Sequence, residues 1–155
     1  MRRLLVFIGV LSVVVAVVLG GISDASGLPA EIESALGSSK YVYIASTRKD
    51  GSLGKPAEIW FLYHNGAVYV GTPSTTWRVR RIKAGRQQAK IWVGKMDGPA
   101  LMATGAVVKE PDTEAVMMET FAKKYPDGWG RYEQKFRSGF KDGGRVLVKY
   151  TPQGS

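Results

Sequence analysis

The hydrophobic pattern changes period several times along this chain, and each change marks an element. The first run has no period: Leu4 to Ser23 carries no charge and is rich in Val, Leu and Ile. It follows Met1-Arg2-Arg3, and a basic start before an apolar stretch marks a segment for export or membrane insertion. The run is long enough to cross a bilayer core as a helix. It exceeds the apolar region of about 7–15 residues usual in a cleaved signal. Small residues at Ser23 and Ala25 leave cleavage open. Residues 1–27 are therefore expected to be a membrane anchor or signal segment with a linker, with Arg2 and Arg3 on the cytoplasmic side. Residues 28–155 would form a domain outside the cytoplasm, held at the membrane, or secreted if the segment is cleaved.

Beyond Leu28 the pattern alternates between helical and extended. Pro29-Ala30-Glu31 predicts a helix start and Gly37 its end. Tyr41 to Thr47 and Lys55 to Tyr63 are β-branched and aromatic, and the turn Lys49-Asp50-Gly51-Ser52 separates them. Asn65-Gly66 predicts a type I′ hairpin into a third strand, Ala67 to Gly71. Thr72 to Thr76 reads as a polar loop, and Trp77 to Ala84 as one or two helical turns closed by Gly85, with Val79 and Ile82 inward. Lys90 to Gly94 and Ala100 to Lys109 are two more strands, the second broken by Gly105.

Asp112 is the expected N-cap of a helix whose inner face is Met117, Met118, Phe121, Ala122 and Tyr125, stopped by Pro126 and Gly128. A short helix from Trp129 to Phe140 and a half-buried strand from Arg145 to Tyr150 complete the chain. Roughly six strands with few helical crossovers predict a mainly β domain, an antiparallel barrel with flanking helices.

The length of 155 residues allows one domain with a real core. The chain has no cysteine, which excludes disulfides, thiol catalysis and cysteine-bound metals. Its one histidine, His64, sits beside the Asn65-Gly66 turn and is expected to be exposed and inert. No metal site is expected. The net charge of +9 points to an anionic partner or to general solubility. The stretch from Arg78 to Lys95 holds seven basic residues and no acid, and the hydroxyls of Thr72, Ser74, Thr75 and Thr76 come just before it. Hydroxyls and guanidiniums delivered to one place suit a phosphate.

Nucleic acid would call for exposed aromatics among those cations. Only Trp77 and Trp92 qualify, and Trp92 is expected in the core, so the reading goes against nucleic acid. Trp60 either walls a ligand pocket or fills the barrel. No Ser-His-Asp set, carboxylate pair or phosphate-binding glycine loop is present, so no catalytic residue stands out. Any enzymatic chemistry would come from a bound cofactor.

Several of these motifs together resemble a known family. They are Ala45-Ser46-Thr47-Arg48-Lys49-Asp50-Gly51, Lys55-Pro56 with Ile59-Trp60-Phe61, Thr72-Pro73-Ser74, Arg78-Val79-Arg80-Arg81-Ile82, Gly105-Ala106-Val107, and the helix after Pro111-Asp112. Their order is similar to that of the pyridoxamine 5′-phosphate oxidase-like split-barrel flavoproteins, in the branch of the deazaflavin (coenzyme F420)-dependent reductases. The resemblance implies a split β-barrel and a homodimer with FMN or coenzyme F420 in a groove between two barrels. It places Lys55 and Pro56 on a strand lining that groove, and Thr72, Ser74, Arg78 and Arg81 at the cofactor phosphate; Trp60, where it walls the pocket, would lie beside the ring. The implied activity is hydride transfer between the cofactor and a small organic substrate. The alternative is a non-enzymatic flavin- or haem-binding module on the same barrel, anchored at the membrane.

Overall fold

A computed structural model describes residues 27–154. The expected anchor or signal, residues 1–27, lies outside them apart from Gly27. Among the described residues no helix is long and apolar enough to cross a membrane.

A short helix, α1 (Ala30–Ser38), leads into β1 (Val42–Ser46), β2 (Ala57–Ile59), β3 (Leu62–His64) and β4 (Ala67–Pro73). After α2 (Trp77–Lys83) come β5 (Gln88–Val93), β6 (Ala100–Val108), α3 (Pro111–Lys124), α4 (Pro126–Asp142) and β7 (Arg145–Pro152). The strands form one seven-stranded sheet in the order β2-β1-β5-β6-β7-β4-β3. Every paired neighbour is antiparallel. This is the expected antiparallel, mainly β architecture, with one strand more than the pattern predicts.

The extra strand has a physical cause. Lys55 to Tyr63 reads as one strand, but it breaks at Trp60-Phe61 into β2 and β3, which lie at opposite edges of the sheet. The chain crosses from one edge to the other in those two residues, so the sheet must roll up on itself. Between β2 and β3 there is no ladder, and the barrel stays split along that seam.

The crossing leaves Phe61, wholly buried, without strand partners, and an unpaired buried peptide group is costly. The C-terminal end of α3 supplies both missing bonds. The Phe61 N–H donates to the Tyr125 hydroxyl at 3.1 Å, and Lys124 Nζ donates to the Phe61 carbonyl at 3.4 Å. The Tyr125 hydroxyl in turn donates to the Lys40 carbonyl at 2.7 Å, just before β1. Its ring lies flat on Trp60, with centroids 4.3 Å apart and planes within 5°.

Period-two alternation divides the side chains between two cores. Val68, Val70, Val148 and Tyr150 point into the barrel with Val42, Ile44, Ile91 and Ala103. Ala67, Tyr69 and Leu147 point outward under α3 and α4, against Met117, Phe121, Trp129, Phe136 and Phe140. β4 is buried on both faces, which is why it reads as a continuous apolar run. Val79 and Ile82 of α2 face the barrel, as expected.

Four further details differ from the sequence reading. The N-cap of α3 is Glu110, with Pro111 in the first turn, so Asp112 lies inside the helix. Pro126 does not only stop α3; it also opens α4, whose first turn tolerates a residue without an N–H. Gly105 lies within a continuous β6, where a Cβ would come within 2.8 Å of the Tyr150 ring, so close packing and not a break requires it. Trp92 faces outward on β5, half-buried, while Ile91 and Val93 take the inner positions. The type I′ hairpin is as expected, with Asn65 at φ 48° and Gly66 at φ 73°.

The crossing carries two predictions. Replacing Tyr125 with Phe leaves the Phe61 N–H without an acceptor and should cost about 2 kcal/mol, read as a lower urea midpoint at unchanged slope. Burial also lowers the Lys124 amine from its usual 10.5 to about 8. Below pH 8 the amine is charged in both states and the desolvation penalty is fully felt. Between about 8 and 10 the unfolded chain still holds a proton that the folded chain has released, so stability rises with pH. Above 10 the trend reverses, because burial raises Tyr125 and pushes Tyr150 up to about 12, and the unfolded phenols ionise first. Lys124→Met should abolish the rise between pH 8 and 10 in denaturant melts.

Candidate functional site

The turn after β1 sets the first wall of the site. Asp50 accepts from the Ser52 N–H at 3.0 Å and from its hydroxyl at 2.7 Å, and those bonds hold its carboxyl below the usual range. The chain then returns to the barrel, where the Gly54 N–H donates to the Ser46 carbonyl at 2.8 Å. Lys55 follows, and β2 begins two residues later. The opposite wall is α2. Its spacing buries Val79 and Ile82 and turns Arg78 and Arg81, three apart, toward β2.

Between these walls lies a cavity of about 250 Å³. Ser46 and Ile44 lie at its barrel side, Ala57 and Ile59 on the β2 side, and Thr76 and Trp77 at the start of α2. Three cations line it, Lys55, Arg78 and Arg81, and no acid does. Arg81 Nη1 donates to the Ser46 carbonyl at 3.2 Å, which fixes its guanidinium across Gly54. A Cβ on Gly54 would come within 2.5 Å of that nitrogen, so a larger residue there would push the guanidinium aside.

Deeper in, two buried polar atoms lack partners: Arg78 Nε and the Tyr150 hydroxyl. Burial raises the Tyr150 phenol to about 12, and the Arg78 charge and the Ser46 side chain offset part of that rise. Unsatisfied donors and unpaired cations around a water-sized to ligand-sized hollow have the chemistry of an anion receptor.

A second cavity, about 370 Å³, shares Ile59 with the first. It opens between the end of β2, the end of β4 and helix α4. Trp60 and Thr72 line it, together with Tyr41, Glu58, Tyr132, Phe136 and Arg145.

The residues named from sequence are therefore divided. Lys55, Arg78 and Arg81 meet in the first cavity. Trp60 and Thr72 are in the second. Thr72 belongs to β4, not to a loop, and its hydroxyl lies 3.4 Å from that of Thr76, which faces the first. Ser74 lines neither cavity, and its N–H donates to the Gly144 carbonyl at 3.0 Å. Pro56 also lines neither. Thr76, one of the hydroxyls expected near a phosphate, faces the first cavity, whereas Ser46 and Arg145 were not expected at either. Ser46 was readable: it continues the inward register of Val42 and Ile44 as a polar residue at a core position. Arg145 was not, because only the fold brings the start of β7 into the same cavity as the end of β2. His64 is partly exposed on the β3–β4 hairpin and lines neither cavity.

The fold recurs in solved structures. A putative pyridoxamine 5′-phosphate oxidase from Listeria innocua superposes with a TM-score of 0.56 at 12% identity, over 79% of this chain and 90% of that one. The fold is the split barrel of the pyridoxamine 5′-phosphate oxidase-like proteins. An F420 reductase shares it with a TM-score of 0.54 at 20% identity, over 81% of this chain and 96% of that one. So does the haem-storage protein HutZ from Vibrio cholerae, with a TM-score of 0.55 at 12% identity, over 81% and 89%. No family model and no curated protein matches the sequence. In this split barrel the basic cavity lies beside the seam, bounded by the strand that ends at the crossing and by the helix that follows β4.

Proposed function

We propose that this chain is an oxidoreductase that binds FMN or coenzyme F420, with the cofactor phosphate in the basic cavity. The observation that carries this reading is the lining itself: Lys55, Arg78 and Arg81 converge without a carboxylate, and Arg78 Nε is buried and unpartnered. The names of two proteins with the same fold, an oxidase acting on a phosphorylated compound and an F420 reductase, favour a phosphorylated redox cofactor over other anions.

A bound flavin or deazaflavin supplies hydride transfer to or from an organic substrate. The protein's part is binding and placement. Arg81, fixed on the Ser46 carbonyl, offers its remaining N–H groups in a rigid fork, and Arg78 adds a second. Lys55 supplies a flexible point charge from the other wall. Ile44 and Ile59 keep the inner side apolar, which strengthens each ionic contact by excluding water.

The working unit in this proposal is a homodimer. The outer face of the sheet carries Tyr43 opposite Trp92, and Lys90 opposite Met102, in direct cross-strand register. Met102 and Met96 are exposed, as is Trp77 at 68% beside the basic cavity. Apolar area of this kind next to a ligand site suits a second copy that completes it. The uncharged run from Leu4 to Ser23 supports a domain held at the membrane outside the cytoplasm, or released there if the segment is cleaved.

Titration of the full chain with FMN, coenzyme F420 and haem, followed by fluorescence, tests the cofactor. One flavin type should bind saturably, and replacing both Arg78 and Arg81 with Ala should weaken it by more than about tenfold with the fold intact, given charge-assisted bonds of about 1.5–3 kcal/mol each. Unchanged affinity in the double variant removes the phosphate assignment. Binding without turnover across a substrate screen would instead make the chain a non-enzymatic binding module. For the assembly, Trp92→Glu should convert a dimer to a monomer in light scattering and weaken the same cofactor. A protein that is monomeric from the outset overturns the dimer.

A further inference from the structure

The second cavity has a chemistry of its own. Its walls are aromatic: Tyr41, Trp60, Tyr132 and Phe136. Trp60 is held in place on one face by Tyr125, and Tyr132 meets it edge-on at 5.5 Å. Flat walls of fixed orientation select a flat ligand.

Two charged groups line the same space, Arg145 and Glu58. Arg145 Nη1 donates to the Gly71 carbonyl at 2.8 Å, and the guanidinium lies 4.1 Å from the centre of the Phe136 ring. Its Nε is buried without a partner, and among the described residues no carboxylate pairs with it. A guanidinium has five N–H donors, so most of those on Arg145 remain unspent. Half-burial disfavours its charged form, lowering its pKa from the ordinary arginine value. A half-buried cation that the protein leaves unpaired is completed most strongly by a ligand carboxylate, through two parallel charge-assisted bonds. Glu58 accepts a hydrogen bond from the Tyr43 hydroxyl and forms no ion pair with Arg145. It keeps acceptor capacity for an N–H or O–H group, and it disfavours a second negative charge.

We infer that this cavity binds a planar aromatic acid, with its carboxylate on Arg145, its ring between Trp60, Tyr132 and Phe136, and an N–H or O–H donor turned to Glu58. On the reading of the neighbouring cavity as a cofactor site, this acid binds next to the cofactor, across Ile59. The volume of about 370 Å³ suits one or two fused rings.

Calorimetric titration of the full chain in detergent, without cofactor, with 4-aminobenzoate, 4-aminobenzamide and benzoate tests the inference. The aminobenzoate should bind at least about tenfold tighter than its neutral amide, and tighter than benzoate. Arg145→Gln should abolish the preference for acid over amide while amide affinity is kept. Glu58→Gln should remove the advantage of the amine. Tyr132→Ala, at the exposed rim, should weaken acid and amide alike and serves as the ring test if Arg145→Gln fails to fold. Equal affinity for acid and amide, no binding of any probe, or a preference that survives Arg145→Gln overturns the inference. So does displacement of the aminobenzoate by saturating FMN, since the cavity would then hold the cofactor ring. Because these titrations omit cofactor, a failure of FMN or F420 to bind the basic cavity leaves their outcome decisive.

Discussion

The crossing at Trp60-Phe61 is the constraint on which the rest of this structure depends. Two residues carry the chain between the edges of a rolled sheet, and both peptide groups of Phe61 lose the partners a strand would give them. One tyrosine and one lysine at the end of α3 replace those partners. The same tyrosine ties the crossing to the residue before β1 and stacks on Trp60. The seam is therefore held by side chains and not by a ladder. Both cavities lie along it, because only there do the barrel walls stop short of hydrogen-bonding to each other.

Lys124 shows what this arrangement costs. A half-buried ammonium with a carbonyl and an aromatic face for company, and among the described residues no carboxylate, is less stable charged than in water. The fold keeps it because the alternative, a buried carbonyl with no donor, is of comparable cost. The wholly buried Phe61 ring, 3.6 Å from the ammonium, recovers part of the loss through its negative face.

Much of the strand pattern could be read from the chain, because period-two alternation and the Asn65-Gly66 and Asp50-Gly51 turns are local signals. The break within Lys55 to Tyr63 could not. Ile59-Trp60-Phe61-Leu62 is as good a strand as any by propensity, and only the long-range bonds to Tyr125 and Lys124 divide it. The site followed the same rule. Arg78 and Arg81 were legible from a basic run with helical spacing, and Lys55 only through the family resemblance. Trp92 was misplaced because alternation fixes which residues share a face, and not which face is inside. Arg145 and Glu58 gave no local signal at all; their meeting is a property of sheet order.

The two cavities share a wall at Ile59, and that single apolar side chain shapes the electrostatics of both. On one side stand three cations without an acid. On the other, Arg145 and Glu58 line the same space unpaired. A ligand phosphate on the first side and a ligand carboxylate on the second would each meet its own guanidinium, so neither has to compete for the other's. The wall between the cavities thus traces back to the crossing: Ile59, the last residue of β2, lines both, and Trp60, which follows it and stacks on Tyr125, lines the second.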